Sequence, residues 1–151
     1  MKSRAIATAL GVLMMFCISV PVTFGAEPGA KNRTAIRSEN ALIVYYFHGK
    51  RRCTTCKKLE AYAREALEKS FSGEVRDGRI EWRITDISTP ENSHFVKDFG
   101  LVSQSLVLVR QEAGKQGGWK NLDQIWMKVR DKEDYIDYVS ENIRQFMGKN
   151  G

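Results

Sequence analysis

Residues 41–57 read ALIVYYFHGKRRCTTCK: an uncharged apolar run, a short basic turn, and two cysteines three residues apart. Ala41–Phe47 is rich in β-branched and aromatic residues and has no polar alternation, which predicts a strand buried on both faces. From Thr54 to Phe71 the pattern changes to spacings of three and four. Cys56, Leu59, Ala63, Ala66, Leu67 and Ser70 share one helical face, and Glu60–Arg64 and Glu65–Lys69 form i,i+4 pairs on the other. The thiols therefore stand where a buried strand hands over to a helix. A helix N-terminus presents free N–H groups and positive potential, and it favours a thiolate.

Further along, Ile80, Trp82 and Ile84 alternate with Glu81, Arg83 and Thr85, predicting a second strand with one wet face. Ser88-Thr89-Pro90 marks a helix start, with the helix running to Phe99 and ending at Gly100. Leu106–Val109 is the third strand, residues 114–118 a glycine-rich turn, and Trp119–Leu122 the fourth strand of a hairpin. Residues 124–129 fit loop or strand. Asp131 caps a last helix, with Glu133 and Asp134 in its first turn and Ile136, Val139, Ile143 and Phe146 or Met147 toward the core. The order is β-α-β-α-β-β-α, an α/β domain with a central mixed four-stranded sheet and helices on both faces. The first βαβ unit requires parallel strands and a right-handed crossover. The two long helices are expected on opposite sheet faces.

The chain begins like a secretory signal. Lys2 and Arg4 precede an uncharged apolar stretch from Ala5 to Val20, and Thr23 and Gly25 are small enough for a cut before Ala26. The expected organisation is a signal peptide over 1–25, a flexible polar segment over 26–40 with Pro28 and Gly29, and one domain over 41–151. Cleavage removes Lys2, Arg4 and Cys17, which lowers the formal net charge from +6 to +4. It leaves Cys53 and Cys56 as the cysteines and no stable membrane span; left uncleaved, the apolar run is near the lower length limit for a membrane anchor. A mildly basic exported chain suits acidic surfaces rather than nucleic acid, and the expected location is the periplasm or cell envelope.

The pair admits three readings: dithiol–disulfide exchange, half of a zinc or copper site completed by His48 (or by the more distant His94), or a local staple. Haem attachment is disfavoured, because Lys57 stands where that motif needs histidine. In the exchange reading Cys53 is the exposed nucleophile and Cys56, one turn deeper, resolves the mixed disulfide. Arg51, Arg52 and Lys57, with Lys50 and Lys58, would tune the thiol, and His48 would shuttle a proton or remain a plain loop residue. Trp82, Trp119 and Trp126 are expected in core or half-buried sheet positions rather than in a binding wall.

Strand order and the Cys-x-x-Cys placement resemble the thioredoxin fold over roughly Leu42 to Met147. More narrowly, Tyr45-Tyr46-Phe47-His48-Gly49, Arg51-Arg52-Cys53 with Thr55-Cys56, and the run FGLVSQS at 99–105 are similar to an exported thioredoxin-like family labelled nitrophenyl compound nitroreductase subunit (ArsF family). The resemblance implies a redox role through the disulfide itself without an organic cofactor, thiol or disulfide partners of protein or small-molecule type, and a possible partner reductase subunit. It also implies that Gln104 and Ser105 line the site. Two positions depart from ordinary thioredoxins. Ser105 falls where they carry a cis-proline, and a non-proline residue there favours a trans peptide. The end of the first strand, Tyr45-Tyr46-Phe47, has no buried carboxylate.

Overall fold

The computed structural model describes residues 40–148. The expected signal peptide, and all of the polar segment but Asn40, lie outside the described residues. Among the described residues no helix is long and apolar enough to cross a membrane.

Strand β1 (Leu42–His48) leads into helix α1 (Thr54–Ser70) and a short helix α2 (Ser72–Arg76). Strand β2 (Ile80–Asp86) and helix α3 (His94–Asp98) follow. A hairpin of β3 (Ser105–Glu112) and β4 (Lys115–Asn121) precedes a single turn, α4 (Ile125–Lys128), and the last helix, α5 (Lys132–Gly148). The sheet order is β2-β1-β3-β4. β1 pairs parallel with β2, Leu42 opposite Ile80, and antiparallel with β3, Phe47 opposite Ser105. With a strand on each side and helices above and below, every residue from Ala41 to Phe47 is buried. This is why the run carries no polar alternation.

The period of two divides β1 between two cores. Leu42, Val44 and Tyr46 pack with Leu59, Ala63, Ala66 and Leu67 of α1 and with Ile136, Val139 and Ile143 of α5. Ile43, Tyr45 and Phe47 pack with Phe99, Leu101, Val107 and Val109, with Phe95 against them. Both long helices thus cover the same face, contrary to the expectation of opposite faces. Ala63 and Ala66 let the two helices approach closely, and the buried Tyr135 hydroxyl of α5 donates to the Leu59 carbonyl of α1 at 2.8 Å. The opposite face is sealed by the short α3 and a cluster of rings in which Phe47, Phe95 and Phe99 lie 5.2–5.8 Å apart.

Three boundaries differ from the pattern. The helix expected from Pro90 begins at His94. Ahead of it, Asn92 donates its side-chain amide to the Asp86 carbonyl and its N–H to the Thr89 carbonyl. Such local bonds hold turns in place of a first helical turn. The hairpin turn is Ala113-Gly114, both with positive φ (51° and 72°), which suits a two-residue connection between strands twisted in the native sense. Gly117 and Gly118 belong to β4 rather than to the turn, and a Cβ at Gly117 would meet the Glu112 side chain at 3.3 Å. Residues 125–128 are helical where the pattern fitted loop or strand. β2 is an edge strand, so its wet-face alternation is weak: Ile80 is buried but Ile84 is 40% exposed.

Candidate functional site: a disulfide at a helix N-terminus

Cys53 and Cys56 form a disulfide, with Cα atoms 5.0 Å apart. Cys53 is the N-cap of α1, in extended conformation, and its sulfur accepts the Cys56 backbone N–H at 3.1 Å. Its carbonyl accepts the first intrahelical bond, from Lys57 N–H at 3.0 Å. The sulfur therefore occupies the place that a serine or aspartate oxygen takes in an ordinary cap. Cys53 is exposed and Cys56 is 3% exposed, so one sulfur faces solvent and the other lies under the helix. No acidic residue occupies the first turn of α1.

The five cations at positions 50–58 divide into two kinds. Arg52 forms an ion pair with Glu60, whose carboxylate is largely covered and also receives Arg64 from the next turn. Lys50, Arg51, Lys57 and Lys58 are exposed, and none has an ion-pair partner among the described residues. His48 ends β1 on the same face as Tyr46. Its Nδ1 lies 3.0 Å from the Gly49 carbonyl oxygen, a position in which it donates to that oxygen. Across the parallel pair His48 stands opposite Asp86, whose carboxyl is held below the usual carboxylate range chiefly by the Ser88 hydroxyl and N–H, with the His48 and Arg52 charges adding to the effect. Among the described residues no three His, Cys, Asp or Glu side chains converge in a metal-holding group, and His94 lies on α3, bonded to the Glu91 carbonyl.

Gln104 and Ser105 differ in placement. Gln104 reaches the cysteine loop, its amide donating to the Arg51 carbonyl at 3.3 Å. Ser105 is 6% exposed, and its hydroxyl donates to the Ser103 carbonyl within its own loop. Peptide bonds throughout the described residues are trans, that before Ser105 included.

Pattern reading misses three neighbours. Tyr46 is fully buried, and its hydroxyl donates to the Cys56 carbonyl at 2.6 Å, with burial pushing its pKa up to about 12 against a smaller opposing effect of Arg52. Glu60 is read only as an exposed i,i+4 partner, whereas it anchors the arginine next to Cys53. Trp126 on α4 donates its indole N–H to the Gln104 carbonyl at 2.9 Å and so fixes the loop whose Gln104 reaches Arg51. The available signal for Tyr46 was the period of two from His48 back along β1. Arg52 and Glu60 are eight residues apart, beyond the i,i+4 reach of the helical pattern, and Trp126 meets Gln104 only through the fold. The three tryptophans do not form a wall: Trp82 stacks on Tyr46, Trp119 meets Phe99 edge-on, and Trp126 stands alone beside the site.

No family model and no curated protein matches the sequence. Among solved structures, a thioredoxin from Thermus thermophilus is similar at 17% identity, with 74% of this chain and 77% of that one covered and a TM-score of 0.45. Fasciola hepatica thioredoxin is similar at 14% identity over 66% of this chain and 88% of that one, with a TM-score of 0.38. Oxidised mitochondrial thioredoxin 3 from Saccharomyces cerevisiae is similar at 16% identity over 66% and 86%, with a TM-score of 0.37. The fold is thioredoxin-like, and that statement rests on the strand order β2-β1-β3-β4, the parallel β1–β2 pair and the disulfide at the start of α1.

Proposed function

We propose that this protein is an exported thiol–disulfide oxidoreductase that works through Cys53 and Cys56, in the periplasm or cell envelope. One observation carries the chemistry: the solvent-facing sulfur is itself the N-cap of a long helix, bonded to a backbone N–H, with a second sulfur covered behind it. When the pair is reduced, an anionic sulfur at 53 keeps that N–H bond and gains from the helix dipole, so the thiolate is favoured. Attack on a partner disulfide then leaves Cys53 joined to one partner sulfur and releases the other as a thiolate. Cys56 next attacks Cys53, re-forms the protein disulfide and releases the second partner sulfur. No organic cofactor enters these steps.

Export rests on the basic-then-apolar start of the sequence. A place beside a partner reductase subunit rests on the similarity of residues 45–57 and 99–105 to the ArsF family. The deciding test of the chemistry is the pH dependence of Cys53 alkylation in the reduced Cys56→Ser protein. The expected apparent pKa lies clearly below about 8.5, the value of a free thiol. A value at or above it would remove the nucleophile from the proposal. Zinc or copper retained in stoichiometric amount by the reduced protein, and lost in Cys53→Ser, would favour the metal reading instead.

A further inference from the structure

The surface around the disulfide has two unlike halves, and together they define a partner. On one side stand Lys50, Arg51, Lys57 and Lys58, all exposed and none with an ion-pair partner among the described residues. Unpaired cations clustered beside a reactive group repel one another, and an arriving negative charge relieves that repulsion. On the other side the loop before β3 and the turn α4 expose apolar groups: Val102 is 97% exposed, Met127 69% and Trp126 36%. Val102, Gln104, Leu122, Ile125 and Trp126 border a depression of about 90 Å³, enough for a small aliphatic side chain. The two halves are tied into one surface. Trp126 holds Gln104, and Gln104 holds the carbonyl of Arg51. A valine side chain left almost wholly in water beside a rigid tryptophan is an unfilled apolar contact.

We propose that the redox partner is a protein segment in which the reacting cysteine is flanked by acidic residues on one side and by an aliphatic residue on the other. The acidic residues meet Lys50, Arg51, Lys57 and Lys58, and the aliphatic residue covers Val102 and Trp126. This inference rests on the exchange chemistry proposed above and names its substrate class. In the direction most easily followed, a partner thiolate attacks Cys53 Sγ of the oxidised protein. The new S–S bond forms as the Cys53–Cys56 bond breaks, and its electron pair leaves on Cys56 Sγ, which takes a proton from water. A second partner thiolate then attacks the partner sulfur of the mixed disulfide and releases Cys53 as a thiolate. The net result is two partner thiols oxidised to one disulfide and the protein disulfide reduced to two thiols.

The test uses the oxidised full chain and two synthetic peptides, each with one cysteine followed by leucine, flanked by three glutamates in one and by three lysines in the other. Second-order rates are divided by each peptide's rate with a neutral small-molecule disulfide, which removes differences in thiol reactivity. At low ionic strength the acidic peptide is expected to react at least tenfold faster, about the lower end of electrostatic steering, and added salt should shrink the ratio. In the Lys50→Ser/Lys57→Ser/Lys58→Ser protein the ratio should fall below about threefold. Val102→Ser should slow the acidic peptide more than a third peptide that differs from it only in serine for leucine; equal slowing would overturn the aliphatic contact. Reaction with neither peptide and with no small thiol would overturn the exchange chemistry itself. Reaction with a ratio near one, or a ratio indifferent to the triple substitution, would overturn only the acidic partner. Lysine-dependent binding to phosphatidylglycerol vesicles together with a peptide ratio near one would reassign the patch to a membrane surface and overturn it equally.

Discussion

Tyr46→Phe removes one buried oxygen and nothing else. At neutral pH the loss is the bond from its hydroxyl to the Cys56 carbonyl, 2.6 Å long and out of contact with water. Removing a buried neutral donor and leaving its acceptor short costs about 1–2 kcal/mol. The same hydroxyl carries a second, opposite contribution at high pH. Burial pushes the Tyr46 pKa from 10.0 up to about 12. The raised folded-state value means that the fold binds this proton more tightly than the unfolded chain does. The corresponding stability is fully present below pH 10 and is lost as pH rises from about 10 to about 12. Two pH units correspond to about 3 kcal/mol. The wild-type protein should therefore exceed the variant by about 1–2 kcal/mol at pH 7, and the advantage should vanish and then reverse above about pH 11. Tyr135 is pushed up chiefly by burial, which acts in both proteins and cancels in the difference; the smaller part due to the neighbouring Tyr46 phenolate is lost in the variant and adds to the difference in the same alkaline range. Urea unfolding of the two oxidised proteins, at a series of pH values from 7 to 12 with brief exposure at the alkaline end, gives that difference directly. A difference that stays constant across the series would refute the claim that the phenol is buried and bonded beneath Cys56.

Two further substitutions probe the frame of the site. Glu60→Gln removes the carboxylate that holds Arg52 and the negative charge one turn beyond Cys56. The apparent alkylation pKa of Cys53 should fall by about half a pH unit in the reduced Cys56→Ser background, and a rise would contradict the placement. Trp126→Phe removes the donor that fixes the Gln104 carbonyl. Its effect on stability should be about 1 kcal/mol or less, because the bond is solvent-exposed, while exchange with a leucine-bearing peptide should slow severalfold; equal rates would separate Trp126 from partner contact.

Most of the architecture was legible because it follows from local periodicity. A continuous apolar run means a strand walled on every side, and Ala41–Phe47 is that strand. A change to spacings of three and four after Cys53 means a helix with one buried face, and Cys56, Leu59, Ala63, Ala66 and Leu67 are buried on it. Asp131 receives the Glu133 and Asp134 N–H groups as a cap residue should. Where local side-chain bonds compete with the helix, as Asn92 does, the boundary moved. The side chosen by α5 was misread, because one amphipathic stripe fits either sheet face equally well. Only the meeting of that stripe with the alanines of α1, and the Tyr135 bond to Leu59, selects a face.

The same division runs through the site. Two cysteines three apart at a strand-to-helix junction were visible from residue order, since helix geometry alone brings such sulfurs within bonding reach and exposes the first more than the second. The phenol under Cys56 and the tryptophan that links α4 through Gln104 to Arg51 were settled by tertiary contact, and the pairing of Arg52 with Glu60 by how the chain enters α1. Spacing along a chain constrains only neighbours within a turn or along a strand. Arg52 is neutralised by a carboxylate two helical turns away, beyond that range, and the loop beside Arg51 is held by Gln104 and Trp126 from distant parts of the chain.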